Sequence, residues 1–215
     1  MSDDTSSPHG DRYDVSGNAE AQYVDGAEEV LINKKNITDV HTLHIEEEKG
    51  LARAYEQLLG EVRSDTPITI QLILYVHKLI FGELYEWAGR WRTVRISKPG
   101  VSWPPPDFLE QAMKDFEHDV LRKYPSTILK SDDVFCNAVG HIQGEFLAIH
   151  PFREGNARTI KLVTDLLATQ SDRLPLQYDM TDSGRQTYIE AAKAALLKEY
   201  APMSAVIHKT LDSLK

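Results

Sequence analysis

His150-Pro151-Phe152-Arg153-Glu154-Gly155-Asn156-Ala157-Arg158-Thr159-Ile160-Lys161 joins two segments of apolar periodicity. It reads as a tight loop between two helices. A histidine opens it and a small-residue turn closes it. An imidazole can accept a proton near neutral pH. A carboxylate four residues later, Glu154, can hold a hard cation such as Mg²⁺. Gly155-Asn156-Ala157 then leads into a helix, whose first backbone N–H groups favour an anion, typically a phosphate. A base, a metal ligand and a phosphate cradle within a dozen residues describe a phosphate-handling site.

The segment before the loop, about Val134 to Ile149, has apolar residues at Val134, Phe135, Ala138, Val139, Ile142, Phe146 and Ile149, which nearly encircle a helix. Such a helix is expected to be central and buried. Its start at Ser131-Asp132-Asp133 suits the macrodipole. The segment after the loop, about Ala157 to Thr169, buries Ile160, Leu162, Val163, Leu166 and Leu167.

Toward the N-terminus, Thr38 or Asp39 is expected to cap a helix running to about Leu59, with Leu43, Leu51, Ala54, Tyr55 and Leu58 inward. Glu46-Glu47-Glu48 within it reads as a solvated charge run. Thr66-Pro67 is expected to start a second helix, about Ile68 to Phe81, in which His77 reads as structural. From Arg92 to Ser97 polar and apolar residues alternate, and Lys98-Pro99-Gly100 is turn chemistry, so a short hairpin is expected. A lone hairpin leaves an open edge, which can bind an extended peptide by strand addition. Pro104-Pro105-Pro106 ends the hairpin and launches a helix from about Asp107 to Lys123, with Phe108, Met113, Phe116 and Val120 inward. Two more helices are expected, one from Thr181-Asp182-Ser183 and, after a break at Ala201-Pro202-Met203, a last one to about Leu214.

The 215 residues carry a net charge of −9, unevenly spread. Residues 1–29 hold eight acids and one base, a balance of −7, which leaves −2 for residues 30–215. Residues 1–29 are therefore expected to form an acidic, disordered tail, and residues 30–215 one helical domain. The nearly neutral domain disfavours nucleic acid. The single cysteine, Cys136, fits a reducing compartment and reads as core. No apolar run approaches a membrane span and Met1-Ser2-Asp3-Asp4 lacks signal-peptide character. A cytoplasmic protein is expected, with delivery to another cell left open.

The loop resembles the active-site motif of the Fic family, His-x-Phe-x-Asp/Glu-Gly-Asn-Gly-Arg-x-x-Arg, at His150, Phe152, Glu154, Gly155, Asn156 and Arg158. Ala157 stands where the family has Gly, and Lys161 where it has the final Arg. The resemblance covers about residues 30–205 and implies an all-α helical bundle with one short β-hairpin, a flap over the active site at about residues 90–104. It also implies an enzyme: a protein adenylyltransferase that moves AMP from Mg-ATP to a Ser, Thr or Tyr hydroxyl of a target protein and releases pyrophosphate. His150 is then the base and Glu154 the Mg²⁺ ligand. Gly155, Asn156 and Ala157 form the anion hole, Arg158 faces the β-phosphate, Lys161 takes the γ-phosphate position, and Phe152 anchors the loop. Thr93, Val94, Arg95, Ile96, Ser97 and Lys98 correspond to the strand that docks the target. Tyr188 resembles a position near the adenine, with a core tyrosine the other reading.

If position 157 lies in a helix, Ala keeps the backbone N–H and changes little. Lys161 keeps the charge but loses the two-pronged grip of arginine; it also reads as a plain solvated helix residue. Family members are often restrained by a Ser/Thr-x-x-x-Glu-Gly/Asn helix, in the same chain or in an antitoxin. Ser16–Glu20 and Thr42–Glu46 match it incompletely, so any inhibitory glutamate is expected from a separate protein. Transfer of a phosphoryl or other nucleotidyl group, or a catalytically weak binding protein held by an antitoxin, are the alternative functions.

Overall fold

The computed structural model describes Glu20, residues 22–98 and residues 100–213. The fold is built on α4 (Asp132–Ile149), which packs against α3 (Leu109–Asp119), α5 (Asn156–Gln170), α6 (Asp182–Ala195) and α7 (Ala201–Asp212). The near-encircling apolar pattern is the reason: Phe135, Ala138, Val139, Ile142 and Phe146 are all buried, and so is Cys136, whose thiol burial pushes up to about 12. Val134, expected on that buried surface, is exposed on the first turn. Ser131 caps α4 by accepting the Val134 amide.

A second layer pairs α1 (Val40–Glu61) with α2 (Ile70–Phe81), and both reach α5. Asp39 caps α1 through the Thr42 amide at 2.9 Å. Thr69, not Thr66, caps α2, accepting from Leu72 N at 3.2 Å. Thr66 instead closes a turn by accepting the Arg63 amide, and Glu117 of α3 takes the Ile70 amide at 2.8 Å. A carboxylate at that end also suits the helix dipole.

The expected helix from Asp107 to Lys123 is three pieces. Pro106–Phe108 and Leu121–Lys123 are 3₁₀ turns flanking α3. Tyr124 precedes Pro125, which drives it out of helical conformation. Phe108, expected inward, is exposed because it lies in the first of these turns, ahead of α3's buried face.

There are two small hairpins among the described residues rather than one. β1 (Tyr23–Val24) and β2 (Ala27–Leu31) pair across Asp25-Gly26, where Gly26 has φ 75°. This replaces expected disorder with structure over residues 22–29; residues 1–19 lie outside the described residues. The second hairpin pairs β3 (Ser97–Lys98) with β4 (Val101–Ser102), in register Ser97↔Ser102 and Lys98↔Val101. Of the strand expected from Arg92 to Ser97 only Ser97 is paired, joined by Lys98, which was expected in the turn. Arg92 to Ile96 keep the in–out alternation, but Arg92 bonds to the loop and Thr93 to Glu20 instead of to a partner strand. No helix among the described residues is long and apolar enough to cross a membrane.

α4 and α7 touch through Gly140: a Cβ there would meet Ser204 Oγ, N and Cα at 2.4, 2.6 and 2.8 Å. Two of those atoms are backbone, so α7 itself must move. Gly140→Ala is expected to destabilise the fold by about 1–3 kcal/mol, read as a fall in thermal midpoint; an unchanged midpoint would show that α7 does not pack as described.

Candidate active site

His150 ends α4 in the left-handed conformation, φ 52° and ψ 60°. Its amide still donates to Phe146 O at 2.8 Å. The last carbonyls of a helix lack intrahelical partners. Here Leu147 O accepts from His150 Nδ1 at 3.2 Å and from Trp103 Nε1 at 3.0 Å. A carbonyl only accepts, so Nδ1 carries the proton and Nε2 keeps its lone pair. Burial also lowers the His150 pKa to about 4, so the ring is neutral at pH 7. Trp103 packs on the imidazole with centroids 4.2 Å apart. The site thus holds a neutral, oriented proton acceptor.

The chain after His150 is pinned at every turn. Asn156 Oδ1 accepts the Phe152 amide at 2.9 Å and its Nδ2 donates to Phe152 O at 2.8 Å. Its side chain locks the loop, so any anion contact falls to its backbone. Phe152 is fully buried and stacks on His77, centroids 3.7 Å apart, as an anchor should. His77 accepts the Gly89 amide on Nδ1 at 2.8 Å and donates from Nε2 to Glu154 O at 3.1 Å. Burial lowers its pKa to about 3, so this is a neutral structural histidine.

Arg92 is the larger clamp. It is 2% exposed, yet among the described residues it hydrogen-bonds to carbonyls and to no carboxylate. Its Nε, Nη1 and Nη2 donate to the carbonyls of His150, Val94 and Pro104 at 2.9, 2.9 and 2.7 Å. Its amide donates to Pro151 O at 2.8 Å. One side chain therefore ties both limbs of the flap to the histidine. Glu20 adds a strap: its carboxylate accepts the Thr93 amide and hydroxyl at 2.9 and 2.6 Å, and its carbonyl accepts Arg153 Nε at 3.0 Å.

Gly155 has φ 77° and caps α5, and Thr159 N donates back to Gly155 O at 2.9 Å. The amides of Asn156, Ala157 and Arg158 precede that bond, in the turn where a helix offers them no carbonyl. Ala157 is helical, so the missing glycine costs nothing in backbone strain. Glu154 Oε1 accepts the Gly155 amide at 2.8 Å, and its half-exposed carboxylate lies 3.6 Å from Arg158 Nη2.

Lys161 is not a solvated helix residue. Its ammonium lies 4.1 Å from the ring centroids of both Tyr178 and Tyr188, and burial lowers its pKa to about 8. Attraction to the ring faces offsets part of that burial. The Tyr188 hydroxyl donates to Gln143 Oε1 at 2.8 Å. Lys161 and Tyr188, two expected nucleotide residues, thus share one cluster, with Tyr188 itself 8% exposed. On the flap, Val94 is buried and Thr93, Arg95, Ser97 and Lys98 are exposed. Local sequence gives no site role to Arg92, Trp103 or Glu20, and Glu47, expected in a solvated charge run, is buried and bound to Arg158 Nη1 at 2.7 Å.

Residues 67–168 match the model of the Fic/DOC family. The chain is 28% identical over 190 residues to protein adenylyltransferase VbhT of Bartonella schoenbuchensis, covering 88% of this chain and 38% of that protein. It thus spans well under half the length of that relative. It is 25% identical to the probable protein adenylyltransferase y4lH of Sinorhizobium fredii, covering 85% of this chain and 91% of that one. The fold matches the N-terminal FIC domain of Bep8 from Bartonella sp. 1-1C with a TM-score of 0.71 and 19% identity, covering 85% and 90% of the two chains. It also matches BepC of Bartonella tribocorum, solved with bound AMPPNP, with a TM-score of 0.66 and 18% identity, covering 87% and 94%.

A Cβ on Gly155 would lie 2.2 Å from two ring atoms of Phe81 and would have to adopt positive φ. Gly155→Ala is expected to cost about 2–4 kcal/mol, combining left-handed strain with overpacking. Thermal denaturation reads this; a wild-type midpoint would mean that the loop is less constrained than its contacts imply.

Proposed function

We propose, for a chain that belongs to the Fic/DOC family, that it transfers AMP from ATP to a hydroxyl of a target protein. The observation that carries this reading is the His150 tautomer: a neutral ring, Nδ1 spent on Leu147 O, Nε2 left to accept. The attacking oxygen of a Ser, Thr or Tyr side chain bonds to the α-phosphorus, the bond from the α-phosphorus to the α–β bridging oxygen breaks, and pyrophosphate leaves. His150 Nε2 takes the hydroxyl proton. Bound phosphates bring negative charge close to His150, which raises its proton affinity from the low value of the free site.

Phosphate binding falls to the first amides of α5 and to Arg158. Among the described residues no group of three or more His, Cys, Asp and Glu could hold a metal. Glu154 alone, with one oxygen on Gly155 N and the carboxylate half exposed, fits the way Mg²⁺ binds, through one or two carboxylates plus substrate phosphates. A Mg²⁺ held there would neutralise charge on the leaving pyrophosphate. Lys161 would meet the distal phosphate only by leaving its tyrosine pair, so a weaker grip than arginine's is expected.

Target docking would use the flap. β3 and β4 form a sheet of two, which leaves outer strand edges for an extended segment. The Thr93 amide is already taken by Glu20, so docking would fall beyond it, toward Ser97 and Lys98. Of the incomplete inhibitory matches, Glu46 pairs with Lys35 and Lys49, and Glu20 lies on the flap root. Inhibition is therefore expected either from a separate protein or not at all.

The test is labelling of a cell lysate by the purified protein with Mg²⁺, using ATP labelled on the α-phosphate or on the γ-phosphate. Label from the α-position alone, abolished by His150→Ala, is the expected result. Label from the γ-position would move the assignment to phosphoryl transfer. No label with ATP still bound would favour a binding protein.

A further inference from the structure

The reaction proposed above gives no role to the buried acid Glu47. Glu47 projects from α1, outside the family motif, and is 3% exposed. Its Oε1 accepts the Tyr85 hydroxyl at 3.0 Å, and its Oε2 accepts Arg158 Nη1 at 2.7 Å. Burial, with Glu47 beside it, holds the Tyr85 hydroxyl protonated, so Tyr85 stays a donor. Tyr85 is itself fixed by stacking on Trp87, centroids 4.4 Å apart. Glu47 is therefore a rigid acceptor aimed at one edge of the Arg158 guanidinium.

The other restraints on Arg158 define what remains free. Its guanidinium carbon lies 4.8 Å above the Phe81 ring, so one face is covered. Nη2 points toward the Glu154 carboxylate at 3.6 Å, beyond normal hydrogen-bond length. The Arg158 side chain keeps 30% of its surface exposed. Glu47 and Phe81 thus fix the plane and one edge of the fork and leave the Nη2 edge, on the Glu154 side and at the start of α5, for an anion. A free arginine side chain loses much rotamer freedom when it binds, and a pre-set one has already lost it.

We infer that Glu47 is a positioning residue: it holds the Arg158 guanidinium in the orientation that receives the phosphates of the nucleotide. The inference rests on the ATP reading above. It makes α1, through one residue of an apparently solvated charge run, part of the affinity for polyphosphate. A carboxylate that serves only to join α1 to α5 would contribute to stability and leave nucleotide affinity alone.

A double-mutant cycle separates the two. Mg-ATP binding is measured by calorimetry in the full chain carrying His150→Ala, which blocks turnover, with Glu47→Gln, Arg158→Ala and both together. Glu47→Gln is expected to weaken ATP binding about tenfold, and to have no further effect once Arg158 is alanine. Glu47→Asp, which keeps the charge but sits one methylene short, is expected to fall between; it carries the same prediction at smaller size if Glu47→Gln does not fold. Wild-type affinity in Glu47→Gln with a lowered thermal midpoint would make the pair merely structural, as would an equal loss with and without Arg158. Tighter binding in Glu47→Gln would show that Glu47 competes with the phosphates, and would overturn the inference. Failure of the His150→Ala parent to bind Mg-ATP would instead sink the nucleotide reading, and this inference with it.

Discussion

The carbonyl of Leu147 is the constraint on which the site depends. It belongs to the last turn of α4, where a helix has acceptors to spare. The chain turns left-handed at His150, an arrangement that costs a non-glycine residue about 1–2 kcal/mol. That turn swings the imidazole back over its own helix and brings Nδ1 onto Leu147 O. Trp103 reaches the same oxygen from the far end of the flap. A single acceptor therefore fixes the tautomer of the histidine and ties the flap to it. The strain is tolerable because the left-handed residue is over-determined, by Arg92 on its carbonyl and Phe146 O on its amide.

The rest of the loop follows the same logic. Polar backbone in a sharp turn must find partners or leave the core. Here the partners are side chains from distant parts of the chain: Arg92 and His77 ahead of the loop, Asn156 behind it, and Glu20 near the N-terminus. Each one removes freedom from the loop. Among the described residues they leave uncommitted the groups that the proposed transfer would use: Nε2 of His150, an oxygen of Glu154, one edge of Arg158 and the leading amides of α5. Such preorganisation is where electrostatic catalysis gains most, because the groups do not rearrange as charge develops.

Much of this was legible from local pattern. The encircling apolar residues of Val134–Ile149 identify the central helix, and the ordered spacing from His150 to Arg158 identifies the site. What escaped depends on contacts far apart in sequence, yet traces of it are in the pattern. Glu47 falls on the buried stripe of α1, four residues after Leu43 and three before Gly50, so it was never equivalent to Glu46 and Glu48. Arg92 shares the inward phase of Val94 and Ile96, and a charged residue in an apolar phase signals a buried clamp. Asp25-Gly26 is a hairpin turn concealed within acidic composition. Nothing local distinguishes Lys161 from a solvated lysine; Tyr178 and Tyr188, which flank it, come from later segments.

The most direct test is the ionisation of His150 itself, followed by nitrogen NMR of the labelled protein as pH is lowered. A neutral ring with the proton on Nδ1 at pH 7 is expected, titrating near 4 rather than at the ordinary histidine value of about 6.5. Because the folded value is depressed, the His150 ring stays neutral across the whole range from neutrality to about pH 5. A proton on Nε2, or a ring already charged at pH 6, would contradict this expectation and leave His150 without the lone pair that the proposed transfer requires.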